Sequence, residues 1–401
     1  MKLLCLSNGH GEDAIALRVL EHLQQQPDPP EIYALPLVGE GHGFAQANIP
    51  IIGPAKRLPS GGFIYMDSRQ LARDLRGGLL SLTLSQLRSV KIWAKQGGSI
   101  LAVGDIVPLL FAWYSGAPYA FIGTAKSDYY LRDEAGVLPR ATWADRMESW
   151  RKSDYLPWER WLMSRPRCKA VFPRDSITSE QLREWNLPVF DLGNPMMDGL
   201  EPSGVLQSDG ASMLSIVLLP GSRPPEAYAN WRHMLQGVDS LCLPMAKKLR
   251  FFGAIAPSID WEPLKQALVT YGWQATADSN TFIRTNASLT LTPHFGDCLH
   301  LADLAIAMAG TATEQFVGLG KPAIIFPGEG PQFTPAFAEA QTRLLGPSVI
   351  LVEQPSRTAQ VVSDLLQDPD RLHLIAENGQ RRMGKPGAAA RIAECLRSRL
   401  G

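Results

Sequence analysis

Four short stretches of this chain set glycine beside residues that can take a proton or hold a phosphate. The first is Ser7-Asn8-Gly9-His10-Gly11-Glu12-Asp13, where Gly9 and Gly11 let the backbone turn tightly and approach a ligand. A helix opening behind such a turn aims its first amides at whatever sits there. His10 is a candidate base; a plain strand-to-helix turn capped by Asp13 is the structural alternative. The second is Val103-Gly104-Asp105. A carboxylate at the end of a strand can take a proton from an attacking hydroxyl, and it can equally cap a helix starting near Val107.

The third stretch, Leu219-Pro220-Gly221-Ser222-Arg223, suits a diphosphate, because a guanidinium offers fixed donors and stays charged. An ordinary surface arginine is the alternative there. In the fourth, Ala309-Gly310-Thr311-Ala312-Thr313-Glu314, amides and hydroxyls can hold phosphate and Glu314 can accept a sugar hydroxyl. Thr311 and Glu314 also have the spacing of a capping box. Beyond them, the loop carrying Gln332 offers polar contacts of the kind sugar hydroxyls need. The chain has no G-x-G-x-x-G fingerprint and no P-loop. Its Asp-x-Asp, Asp368-Pro369-Asp370, falls between two helical stretches, and with no His/Cys cluster no metal site is expected.

These stretches recur at one kind of place, the end of a short apolar run that precedes a helical pattern. Runs at 2–7, 32–38, 99–104, 119–123, 169–172 and 189–192 read as strands, and helix-like periodicity covers 13–26. A polar, Gly- and Ser-rich piece at 200–212 reads as a linker. The pattern then restarts at 214–219, 249–255, 304–308 and 323–326. Strands alternating with helices imply parallel α/β sheets, here two doubly wound domains. Ligands of such sheets sit at the carboxyl ends of the strands, so a cleft between the domains is the expected place of function.

At 401 residues the chain has room for two or three domains of about 150 residues each. Lys plus Arg number 39 and so do Asp plus Glu, which argues against a nucleic-acid partner. The five cysteines are scattered, as expected of reduced thiols in a cytoplasmic protein. The opening apolar run turns polar at Ser7, too soon for a signal peptide, and no apolar run is long enough to span a membrane.

Val103–Asp105, Gly193-Asn194-Pro195-Met196-Met197-Asp198, Leu219–Arg223 and Gly310–Glu314 follow the order and spacing of lipid-A-disaccharide synthase. The chain resembles that family of GT-B glycosyltransferases over most of its length, and most of all its lipid-A-disaccharide synthase-related members. The resemblance implies a GT-B fold: two Rossmann-like doubly wound domains facing a central cleft, with residues 1–200 for the acceptor and 201–375 for the donor. Residues 376–401 would form a last helix packing back on the first domain. It further implies transfer of a sugar, without a metal or other cofactor, from a UDP-sugar to a lipid-like acceptor. Asp105 would take the place of the base, and Ser222 and Arg223 that of the diphosphate site. Gly310, Thr311 and Thr313 would lie at the phosphates, and Glu314 at the ribose. Gly9, Gly11 and Asn194 would fall on the acceptor side. There the chain departs from the family, with Ser7–Asp13 in place of a Gly-Glu-x-Ser-Gly-Asp turn and Gly193-Asn194-Pro195 in place of Gly-His-Pro. The donor class is therefore carried further than the acceptor.

Two competing functions share these features: a UDP-sugar 2-epimerase, and a non-catalytic nucleotide-sugar or lipid-binding protein. One segment points to a lipid partner from its residues alone. Trp143, Trp150, Tyr155, Trp158 and Trp161 crowd together, and residues 140–175 hold nine Lys or Arg against five Asp or Glu. Aromatic bodies with basic rims suit peripheral contact with an anionic membrane surface; core tryptophans edged by snorkelling arginines are the alternative.

Overall fold

The computed structural model describes residues 1–56, 78–139, 152–207, 213–242, 248–330 and 332–401. The chain forms two compact units, Met1–Asp198 together with Lys385–Gly401, and Gly199–Gly384.

The first unit opens with β1 (Lys2–Ser7), α1 (His10–Gln24), β2 (Glu31–Pro36), α2 (His42–Gln46) and α3 (Leu79–Ala94). It continues with β3 (Ser99–Gly104), α4 (Ile106–Ser115), β4 (Tyr119–Gly123) and a small hairpin, β5 (Arg132–Asp133) and β6 (Gly136–Val137). Then come α5 (Pro157–Met163), β7 (Cys168–Phe172) and α6 (Ser176–Arg183). The sheet order is β2-β1-β3-β4-β7, all parallel. Leu3 to Leu6 and Ile100 to Val103 are wholly buried, the unbroken apolar run of strands covered on both faces. Residues 189–192, read as a strand, contribute only an isolated bridge from Val189 to Val171. Phe190 N donates to Val171 O and Val171 N to Pro188 O on either side of it.

The second unit starts with β8 (Met213–Leu219), α7 (Glu226–Cys242), β9 (Lys248–Ala254) and α8 (Glu262–Thr270). Three strands follow, β10 (Gln274–Ala275), β11 (Thr281–Arg284) and β12 (Ala287–Thr292), then α9 (Phe295–Leu301). Next are β13 (Leu304–Ala307), α10 (Thr311–Gly318), β14 (Ala323–Ile325), α11 (Pro335–Leu345) and β15 (Val349–Leu351). Last come α12 (Thr358–Leu366) and α13 (Pro369–Met383). The order is β10-β11-β12-β9-β8-β13-β14-β15, parallel except for the antiparallel β10-β11-β12 edge. The stretch read as a linker is tied down where it is described. Asp297 accepts bonds from Ser203 Oγ and the amides of Gly204 and Leu206, which hold its carboxyl near 2.

Residue 376 lies inside α13, which stays with the second unit; α14 (Ala388–Leu400) belongs to the first. Ala389, Ile392, Ala393 and Leu396 of α14 are fully buried, and Ser99 Oγ donates to Leu400 O. Asp198 anchors the return by accepting from the amides of Gly387 and Ala389, and Arg391 Nε donates to Leu192 O at 3.0 Å. All five cysteines are free, and burial pushes the Cys242 thiol up to about 11. Among the described residues no helix is long and apolar enough to cross a membrane.

Candidate functional site

Each sheet has one point where successive strands depart in opposite directions, and loops leaving there splay apart to make room for a ligand. In the first unit that point lies between β1 and β3, and in the second between β8 and β13. Most of the residues singled out in the sequence leave the sheets at these two places.

In the second unit, Pro220–Arg223 leaves β8 and Met308–Gly310 leaves β13. Asn230 of α7 ties the two loops together, donating to Pro220 O (3.0 Å) and Met308 O (3.1 Å). Gln341 of α11 donates to Ala309 O (3.0 Å) and Gly310 O (3.4 Å). The loop after β14 is held from the other side, since Glu226 accepts from the amides of Gln332 (3.1 Å) and Phe333 (2.6 Å). Gly330 permits that approach: a Cβ there would lie 2.1 Å from Glu226 Oε1. Three neighbouring loops are thus fixed by buried side chains, with Arg223 half-buried and Ser222 exposed among them.

The N-cap of α10 is Gly310 and no side chain caps it, so the capping box read at Thr311 and Glu314 does not form. The amides of Thr313 and Glu314 turn back to Gly310 O, and the helix offers no acceptor to the amides of Thr311 and Ala312. Such an N-terminus favours an anion. Thr313 is wholly buried and its hydroxyl donates to Ala309 O at 2.6 Å, which braces the loop from inside. Glu314 lies buried one turn into the helix.

In the first unit, Asp105 caps α4 by accepting from Val107 N at 2.8 Å. Gly104, at φ 132°, lets β3 pass close to α1: a Cβ there would meet Asn8 Cβ at 3.2 Å and Glu12 Cγ at 3.3 Å. Burial raises the Asp105 carboxyl to about 6, with Glu12 and Glu159 adding and Val107 N and Lys126 opposing. Asp105 therefore changes charge in the range a general base requires. Gly9 is the N-cap of α1, replacing the Asp13 cap read from the sequence, and His10 is the first helical residue, its side chain outside the described part. Asp13 turns inward and accepts from Ser7 Oγ. A Cβ on Gly11 would meet nothing within 4 Å.

Asn194 is buried and its Oδ1 caps Met196 N at 3.0 Å, while Arg18 of α1 donates to Pro195 O and Met196 O. With Asp198 holding α14, the Gly193–Asp198 motif anchors the last helix.

Sequence reasoning missed a polar network beside Asp105. Lys126 pairs with Glu159 Oε2 (2.6 Å) and donates to Asp154 O; Arg174 donates to Thr124 O (3.1 Å). Asp128 accepts from Ser153 Oγ (2.9 Å) and Asp154 N (2.6 Å), and Asp175 caps α6. Lys126 and Asp128 follow β4 as Arg174 and Asp175 follow β7, the same strand-end position that drew attention to Asp105. Of the aromatic segment, Trp143 and Trp150 lie outside the described residues. Tyr155 is core, whereas Trp158 and Trp161 are exposed. Asp368 caps α13 through Arg371 N, as a helix-to-helix turn requires. Among the described residues no group of three or more His, Cys, Asp or Glu is placed to hold a metal ion.

Burial also raises Asp13 and Asp128 to about 7, opposed by the Ser7 bond in one case and by the Asp154 and Ser153 bonds in the other. A folded carboxyl that holds its proton more tightly than the unfolded one stabilises the fold below about pH 4, and that stability is lost as pH rises through about 7. Urea unfolding of the wild type should therefore show a larger drop in midpoint from acidic to neutral pH than the Asp13→Asn, Asp128→Asn double variant. Equal slopes for the two proteins would contradict these ionisations.

No protein-family model matches the chain, and no curated protein sequence does. Solved structures do. The calicheamicin glycosyltransferase CalG4 aligns over 99% of this chain and 98% of its own, at TM-score 0.61 and 11% identity. MurG from Acinetobacter baumannii aligns over 99% of each chain, at TM-score 0.56 and 16% identity. The fold is GT-B. A UDP-GlcNAc 2-epimerase from Neisseria meningitidis, solved bound to UDP-GlcNAc, aligns over 99% of this chain and 100% of its own, at TM-score 0.55 and 15% identity. At these identities the likeness establishes the GT-B fold, with its two Rossmann-like units, and the likeness to lipid-A-disaccharide synthases rests on sequence motifs alone.

Proposed function

We propose that this GT-B chain is a glycosyltransferase that takes a sugar from a UDP-sugar of the UDP-N-acetylglucosamine kind and passes it to a lipid or lipid-linked hydroxyl. The observation that carries the reading is the second unit's switch point, where Asn230, Gln341 and Glu226 hold an arginine loop and an open helix N-terminus on adjacent strands. In the reaction, the acceptor oxygen forms a bond to the anomeric carbon while the bond from that carbon to the diphosphate breaks. The hydroxyl proton passes to Asp105, and the charge left on UDP is met by Arg223, Ser222 and the amides of Thr311 and Ala312. Fixed donors of this kind let the leaving group depart without a metal ion. Glu314 accepts from the ribose hydroxyls, and Gln332 faces the sugar.

The likeness to UDP-N-acetylglucosamine 2-epimerases favours a second reading, in which the same donor loops serve a reaction without acceptor. Incubation with UDP-N-acetylglucosamine, with and without a panel of hydroxyl-bearing lipids, separates the two. UDP release that appears only with lipid, together with glycosylated lipid, is the expected result. An epimerised sugar formed without lipid would replace the transferase reading.

A further inference from the structure

The first unit carries an apolar surface that the sugar chemistry does not use. On α3, Leu80, Leu84 and Ile92 are exposed, at 65%, 56% and 62%, on the side of the helix opposite its buried Leu82, Gln86, Val90 and Trp93. Spacings of three and four residues place Arg88, Lys91 and Lys95 on the same exposed stripe. The stripe continues onto α4, because Lys91 Nζ lies 4.7 Å from the ring centre of the exposed Tyr114. From α4 it reaches α5, where Trp113 packs edge-on against exposed Trp161 at 5.4 Å and Arg165 covers the same ring at 4.4 Å.

Charge decides what fits this surface. From Gly78 to Ser127 the only acidic residue is Asp105, the half-buried cap of α4. From Pro157 to Lys169 the only one is Glu159, which is 1% exposed and paired with Lys126. The helices α3, α4 and α5 thus present leucine, isoleucine and aromatic side chains among positive charges, with no exposed carboxylate. A second copy would set these positive charges against themselves, since a two-fold interface pairs one patch with its own image. Lysines are depleted from the cores of protein interfaces, whereas Trp and Tyr beside Lys and Arg mark the boundary between headgroups and acyl chains.

We infer that α3, α4 and α5 form a membrane-docking face that lays its leucines and tryptophans into the interface of an anionic phospholipid bilayer. Docking needs neither nucleotide nor sugar, so it stands or falls separately from UDP binding.

Flotation of the full chain with lipid vesicles tests it. The wild type should float with vesicles of phosphatidylcholine and phosphatidylglycerol, stay behind with phosphatidylcholine alone, and be released by salt. The Leu84→Glu, Ile92→Glu double variant alters only exposed positions. It should keep the wild-type circular dichroism and bound UDP affinity, yet lose about tenfold or more of the vesicle-bound fraction. Equal flotation of variant and wild type, or no flotation of either, would overturn the inference. So would sedimentation showing a wild-type dimer that the double variant dissolves, because the face would then bind its own copy.

Discussion

Asp105→Asn should slow sugar transfer by about 10²- to 10⁴-fold, the usual contribution of a positioned general base, and leave UDP affinity unchanged. Asparagine is the informative replacement. It caps a helix as well as aspartate does, so the bond to Val107 N and the start of α4 survive while the proton acceptor is lost. Asp105→Ala would add roughly 1 kcal/mol of lost capping to the chemistry being measured. The pH profile gives an independent check. A carboxyl raised to about 6 is the base only when ionised, so kcat/KM should fall as pH is lowered through about 6. In Asp105→Asn that acidic limb should vanish along with most of the rate. A variant that keeps both the rate and the limb would move the base to another residue, with His10 the first to examine.

Arg223→Ala should weaken UDP binding by about 10- to 100-fold, because charge-assisted hydrogen bonds to a diphosphate are each worth roughly 1.5–3 kcal/mol. Arg223→Lys should recover only part of the loss, since it restores the charge without the guanidinium fork. Glu314→Ala should weaken binding as well, by removing the ribose acceptor. Neither change removes Asn230, Gln341 or Glu226, whose hydrogen bonds hold the loops, so the scaffold of the site should persist. Unaltered UDP affinity in both alanine variants would remove the donor-site model, whatever the enzyme does to a sugar.

Much of this architecture was legible because buried parallel strands are short, apolar and followed by glycine turns. The runs at 2–7, 99–104 and 119–123 coincide with β1, β3 and β4. The strands β10, β11 and β15, at or next to the sheet's edges, are short and at most partly buried, so they lack that signature. Asp105, Arg223 and Gly310–Glu314 could be found because each follows such a run directly. The residues that fix the loops could not, since Glu226 acts on an amide 106 residues away and Asn230 on a carbonyl 78 residues away. Nothing local distinguishes those side chains from ordinary helix residues. Thr313 and Asn194 show another limit: their types drew attention as ligand contacts, and nothing local announced that their buried side chains bond the backbone around them.

The most direct test of the donor site is calorimetric titration of the wild-type chain with UDP, UDP-N-acetylglucosamine, UDP-glucose and UDP-galactose, with Glu314→Ala as the control. Saturable binding of UDP that weakens in Glu314→Ala is the expected result. No binding of any of the four would mean that the GT-B fold persists here without a nucleotide-sugar donor.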